Sequence, residues 1–206
     1  MNLDIGDTRL IINECKAAGL LRNQAAYVLA TANHETAGSI KPIKETVMPY
    51  HKDKNPSDIE VKARLTKAWN AGKLPWVRSD YWSDGYFGRG YVQLTWLRNY
   101  RKARDEIGVD FVKSPDLVMN KKHAAKILVI GSRDGWFTGR SLGDYITLSK
   151  SDFINARRVI NGVDRAEDVA ILARDYDALL LADGYGVSDR KVSFLELLFK
   201  LLGWTK

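Results

Sequence analysis

Apolar positions recur at helical spacing along most of the chain, and the interruptions fall at glycine and proline. Residues about 7–19 carry Leu10, Ile11, Ile12, Cys15 and Ala18, with Asp7 or Thr8 as N-cap and Gly19 as the stop. Asn23 is placed to cap a second helix, which runs through Gln24, Ala25, Ala26, Tyr27, Val28, Leu29, Ala30, Thr31 and Ala32 to about Glu35. This helix is apolar nearly all round, which predicts a central, buried position. Gly38, Pro42 and Pro49 interrupt the next stretch, so residues about 37–55 read as loop or short irregular strand. An amphipathic helix is predicted over about 57–71, ended by Gly72 and Pro75. The Gly- and aromatic-rich stretch 79–92 suits a loop with a small hairpin. Further helices are predicted from Leu94 to about Ile107, over about 120–134, over 151–160 up to Asn161-Gly162, and from an Asp164 cap to about Ala182. The segment 194–206 reads as a short amphipathic helix. The pattern contains no repeat, low-complexity tract or linker, and it reads as a single mainly α domain over 1–206, with room for two lobes.

Composition narrows the class. With 45% hydrophobic and 28% charged residues the chain is an ordinary globular one. Net charge is +7, spread without a block of like charges, so general attraction to polyanions fits better than a dedicated nucleic-acid patch. The single cysteine, Cys15, sits in an apolar-periodic segment and reads as a buried thiol. One cysteine permits no internal disulfide, which fits folding in a reducing cytoplasm. The N-terminus lacks the basic and apolar regions of a signal peptide, and no apolar run is long enough to span a membrane.

Candidate chemistry concentrates in two places. Glu35 falls where the buried helix ends before Gly38, and a carboxyl half-withdrawn from water has the raised pKa that a general acid needs. Read from periodicity alone, an ordinary polar helix end is the competing explanation. Glu45 follows in a loop after Pro42, where a solvated, ionised carboxylate could act as a base; taken alone, an ordinary solvated loop charge is the default reading of its position. The His34-Glu35 pair does not extend to a zinc-protease motif, because Gly38 stands where the second histidine belongs. The glycines of Gly88-Arg89-Gly90 let the backbone come close to a neighbour. In alternating geometry Tyr91, Gln93 and Thr95 would form a polar face and Val92 and Leu94 an apolar one.

Together these elements resemble glycoside hydrolase family 19, the chitinase and endolysin group with a lysozyme-like α-helical fold and two lobes around a cleft. The matching pieces are His34-Glu35-Thr36, Tyr86-Phe87-Gly88-Arg89-Gly90-Tyr91-Val92-Gln93-Leu94-Thr95-Trp96, Leu117-Val118, and Arg158-Val159-Ile160-Asn161-Gly162. They keep the family's order. The resemblance implies that Glu35 is the general acid and Glu45 the base, with Glu60 the fallback for the second role. It implies that Thr95 helps to position the nucleophilic water and that Gln93 and Asn161 line the sugar groove. His34, Arg89 and Tyr91 are expected to support substrate binding there. The implied reaction inverts the anomeric carbon and needs no metal or cofactor. In such a reaction the carboxyl groups stand roughly 6.5–9.5 Å apart to admit a water.

The family's plant members carry paired cysteines, whereas this chain is more similar to the bacteriophage endolysins. That implies peptidoglycan as substrate, with chitin as the alternative and a non-catalytic sugar- or nucleic-acid-binding module as the different-class rival. It further implies a monomer that accumulates in the host cytoplasm, crosses the inner membrane through a separate holin, and cleaves the wall in the periplasm. The C-terminal helix would either close the core or touch anionic lipid with Arg190, Lys191, Lys200 and Lys206.

Overall fold

The computed structural model describes residues 1–186. The segment 194–206, read from the sequence as an amphipathic helix, lies outside the described residues. Six α-helices are present among the described residues: α1 (Thr8–Ala17), α2 (Arg22–Glu35), α3 (Asp58–Asn70), α4 (Leu97–Ile107), α5 (Lys121–Asp134) and α6 (Ala166–Ala182). The expected mainly α architecture is therefore observed. Strands β1 (Ile43–Lys44) and β2 (Arg89–Gly90) pair antiparallel, with Ile43 opposite Gly90 and Lys44 opposite Arg89.

Every side chain from Ala25 to Ala32 on α2 is buried, as an all-round apolar helix requires, and α6 packs along it most extensively. Removing a side chain such as Leu29 fully from water contributes about 1.5–3 kcal/mol. This large core also draws in α1, α4 and α5, and it includes the Cys15 thiol. A second, smaller core consists of Val61, Leu65, Trp82 and Phe87 beneath α3. The chain between β1 and β2 belongs mostly to this smaller lobe.

Several boundaries differ from those the periodicity predicts. The stretch 79–92 forms no hairpin of its own, because β2 pairs back to β1; a tight turn comes next, closed by a bridge between Arg89 and Leu94. Helix α4 begins at Leu97, since Gln93 and Trp96 adopt left-handed backbone (φ 52° and 73°) that no helix accommodates. Residues 155–159 make a short 3-10 turn instead of the expected longer helix. Asp7 does not cap α1 with its side chain, which instead accepts a 2.8 Å hydrogen bond from the Tyr91 hydroxyl. Arg165, itself left-handed at φ 56°, stands at the N-cap of α6 in place of the expected Asp164.

Candidate active site

A cleft of about 790 Å³ opens between the elements that carry the sequence motifs. Its floor is Glu35 with Val92, Gln93, Leu94 and Thr95, and Phe137, Thr138 and Asn161 line it further. Trp76, Tyr81, Trp96, Arg78 and Arg98 complete the lining.

Glu35 occupies the last turn of α2, partly buried. Its Oε1 accepts a 2.8 Å hydrogen bond from Nη1 of Arg157, whose side chain is only 3% exposed. Arg157 is fixed in turn by donating from Nε to the Asp164 carbonyl at 3.0 Å. The carboxylate is thus clamped on a rigid helix by a buried cation. After Glu35 the chain turns sharply through three residues of positive φ, Ala37, Gly38 and Ile40. Ile40 is held there because its N–H donates to Thr36 Oγ1 and its carbonyl accepts from Asp7 N–H. A β-branched residue with positive φ is a genuine outlier, and it lies shortly beyond the candidate acid.

Glu45 lies just past β1, and its environment corrects the sequence reading. Glu45 is half-buried, not a free loop charge: its Oε1 accepts from the Tyr81 hydroxyl at 2.5 Å and its Oε2 from the Gly88 N–H at 2.8 Å. Burial pushes its carboxyl above the ordinary carboxylate range, although the Tyr81 hydroxyl, the Gly88 amide and the Arg89 charge each pull it back down. Glu45 lines a smaller cavity of about 330 Å³ that shares Trp76, Val77 and Tyr81 with the main cleft. Those three residues form the common wall between Glu45 and the cleft.

Gly88 ties the two sides together. A Cβ on it would stand 2.7 Å from Gln93 Oε1 and 3.3 Å from Glu45 Oε2, so glycine permits both side chains to converge on this peptide. Gln93 Nε2 donates to the Ile43 and Gly90 carbonyls, and its own backbone carbonyl accepts from Thr95 Oγ1 at 2.8 Å. Asn99 Nδ2 donates to the Thr95 carbonyl at 2.8 Å. Thr95 is therefore held from both sides at the edge of the cleft.

Three of the expected substrate-contacting residues are placed elsewhere. Arg89 is fully buried. It donates to Asp116 Oδ1 at 2.9 Å, Asp58 Oδ2 at 2.7 Å and the Gly85 carbonyl at 2.7 Å, and it lies 3.7 Å from the Phe87 ring centroid. Lys44 Nζ joins the same two aspartates. Burial alone would raise the Asp116 carboxyl, but Lys44 and Arg89 outweigh it and hold the group below its ordinary value. Arg89 thus joins the start of α3 to the 115–119 turn and to Tyr100 of the large core, and cannot reach a sugar. Tyr91 is buried against Asp7, because the chain turns at 91–93 instead of alternating as a strand; Val92, Gln93, Leu94 and Thr95 line the cleft consecutively. His34 is partly buried and does not line the cleft. Gln93, Thr95 and Asn161 do line it. Glu60, the fallback base, is an exposed capping residue: its Oε2 accepts from Ser57 N–H at 2.9 Å, and Arg64 pairs with it at 3.0 Å. The Ser57 contacts lower its carboxyl, and its position in the first turn of α3 serves that helix alone.

Residues 16–129, more than half of the chain, match the chitinase class I family, glycoside hydrolase family 19. The chain belongs to this family. It is similar to acidic endochitinase Q of Nicotiana tabacum, 51% identical over 47 residues that make up 23% of this chain and 19% of that protein. It is also similar to acidic endochitinase pcht28 of Solanum chilense, 46% identical over 59 residues, covering 26% and 23% of the two chains. The matched part spans about a fifth of the length of these relatives. The fold is similar to that of chitinase C from Streptomyces griseus HUT6037, with a TM-score of 0.52 at 22% identity, covering 82% of this chain and 61% of that one.

Proposed function

We propose that the protein is a glycosidase that hydrolyses β-1,4 bonds of an aminosugar chain by an inverting, two-carboxylate reaction, with bacterial peptidoglycan as its substrate and host-cell lysis as its role. The observation that carries the reading is the convergence of Glu45 and Gln93 on Gly88, next to the cleft that holds Glu35 and Thr95.

Glu35 supplies the proton to the glycosidic oxygen from its oxygen not engaged by Arg157. Arg157 keeps the carboxyl oriented as the proton leaves. Thr95 and Gln93 hold a water on the opposite face of the sugar, and Glu45 takes its proton. For that, the Tyr81 hydroxyl must give up Glu45 Oε1 to the water when substrate enters. Glu45 must also be ionised, so its raised carboxyl makes the enzyme lose activity on the acid side. One carboxyl begins protonated and the other begins ionised, and each returns to its starting state when product and solvent exchange protons.

Peptidoglycan is favoured by the chain's basic charge of +7, which suits an acidic wall, and by its lone cysteine, which suits folding in the cytoplasm where a phage endolysin accumulates before a holin releases it. Chitin is the second reading, favoured by the relatives that carry the name chitinase. Release of reducing ends from purified sacculi and from chitin oligomers, measured side by side, separates them. Faster cleavage of sacculi is expected; cleavage of chitin oligomers alone would reverse the assignment.

A further inference from the structure

Two arginines line the cleft without an ion-pair or hydrogen-bond partner among the described residues: Arg78, on the loop after α3, and Arg98, on the first turn of α4. Arg9, Arg22, Arg64 and Arg133 are each held by an aspartate, and of the described arginines left without a side-chain partner, which include Arg101, Arg140, Arg158 and Arg174, only Arg78 and Arg98 line the cleft. Each open arginine stands two residues after an exposed tryptophan of the same cleft, Trp76 before Arg78 and Trp96 before Arg98. Among the described residues the only carboxylate lining the cleft is Glu35, already engaged from behind by Arg157. The cleft therefore combines flat apolar faces with uncompensated positive charge. Neither arginine is among the charges acting on Glu45, where Arg89 is the cation that counts, so tuning that carboxylate does not explain them.

A neutral N-acetylglucosamine chain offers a guanidinium nothing but hydroxyl and amide oxygens. A glycan with a carboxylate on alternate sugars offers the planar, charge-assisted contact for which guanidinium is suited. We propose that Arg78 and Arg98 form an anion-recognising subsite that selects carboxylate-bearing glycan over neutral glycan, with the tryptophans supporting the sugar rings beside it. This deepens the glycosidase reading and rests on it for the identity of the chain that fills the cleft. The carboxylate could belong to the lactyl ether of the sugar or to an attached stem peptide.

The test uses the full chain carrying Glu35→Gln, so that ligand stays uncut, at physiological salt to suppress general attraction. Binding is measured by calorimetry to peptide-free glycan strands, to the same strands with carboxylates reduced to alcohols, to strands that keep their peptides, and to chitin hexamer. Carboxylated strands are expected to bind about tenfold tighter than reduced strands or chitin. Adding Arg78→Gln and Arg98→Gln together should abolish that preference, whereas Arg174→Gln, on the exposed face of α6, should leave it intact. Tight binding of the peptide-free strands assigns the carboxylate to the lactyl group, and a preference confined to peptide-bearing strands assigns it to the stem; both support the subsite. Equal affinity for carboxylated and reduced strands would overturn it, as would an equal loss from Arg174→Gln. Hydrolysis by the wild-type chain is read separately. Cleavage without charge preference removes the subsite and leaves the glycosidase. Charge preference without cleavage of any strand removes the glycosidase and leaves the subsite.

Discussion

The two candidate carboxylates stand in lobes built by different means. Glu35 ends a helix whose every central residue is buried, inside the large core, and a buried arginine fixes its orientation. Glu45 hangs from a two-residue strand beside a core of four buried side chains, and a tyrosine hydroxyl and a backbone amide hold it. The first lobe obtains rigidity from apolar area. The second has little of it, and a polar network of Arg89, Lys44, Asp58 and Asp116 fastens it to the turn 115–119 on the large core. The proposed reaction needs one carboxyl held still and another able to release a partner as substrate arrives, and the contrast between the lobes suits it.

The contrast can be broken most severely at Arg89. Arg89→Met keeps much of the volume but leaves Asp58 and Asp116 facing Lys44 alone. The two aspartates are well exposed and keep Lys44, so the loss comes mainly from the buried Gly85 carbonyl and Tyr100 hydroxyl left without their charged donor, about 1.5–3 kcal/mol. Urea denaturation should show it as a lower midpoint. Gly88→Ala comes next. Its new Cβ would press on Gln93 Oε1, the movable end of a side chain, so activity should fall about tenfold or more while the denaturation midpoint hardly moves. An equal loss in both would mean that Gly88 serves folding alone.

Tyr81→Phe should have the smallest effect and the most specific one. Glu45 has a folded-state pKa raised above its unfolded value, so its proton is held more tightly in the folded protein. The stabilisation from that proton is present at low pH and lost as pH rises through the raised value. In the proposed reaction ionised Glu45 is the base, so the acid limb of kcat/KM is expected to follow the same titration. The Tyr81 hydroxyl favours the carboxylate, and its removal should move the acid limb to higher pH. The expected loss is about threefold to tenfold at the acid end, fading toward neutral pH. A pH-independent loss would instead assign Tyr81 to packing, against Trp82 and Trp96.

Much of this is legible in the sequence where one physical signal dominates. The uninterrupted apolar run of α2, the glycine stops after α1 and α4, and the motif order about Glu35 and Gln93 point to the helices and the cleft. The sheet is not legible, since two residues per strand carry no periodicity. Nor is the turn at Gln93, because a non-glycine residue with positive φ leaves no mark in the sequence. Arg157 carries no signal of its role because it adjoins Arg158, and nothing in the pair says that one is buried and the other exposed. Glu45 reads as solvated for want of any sign that Tyr81, thirty-six residues on, covers it.

Glu35 and Glu45 are proposed to act as one catalytic pair across the two lobes. Reducing-end release should be measured on the preferred glycan for the wild type, Glu35→Gln, Glu45→Gln and the double variant, each shown to be folded by circular dichroism, with Glu60→Gln as control. Each single change should cost about 10²–10⁴-fold in kcat/KM, the double should be little worse than the more damaging single, and Glu60→Gln should stay near wild type. A folded Glu45→Gln that retains activity within a few-fold of wild type would contradict the pairing and leave Glu35 without its partner.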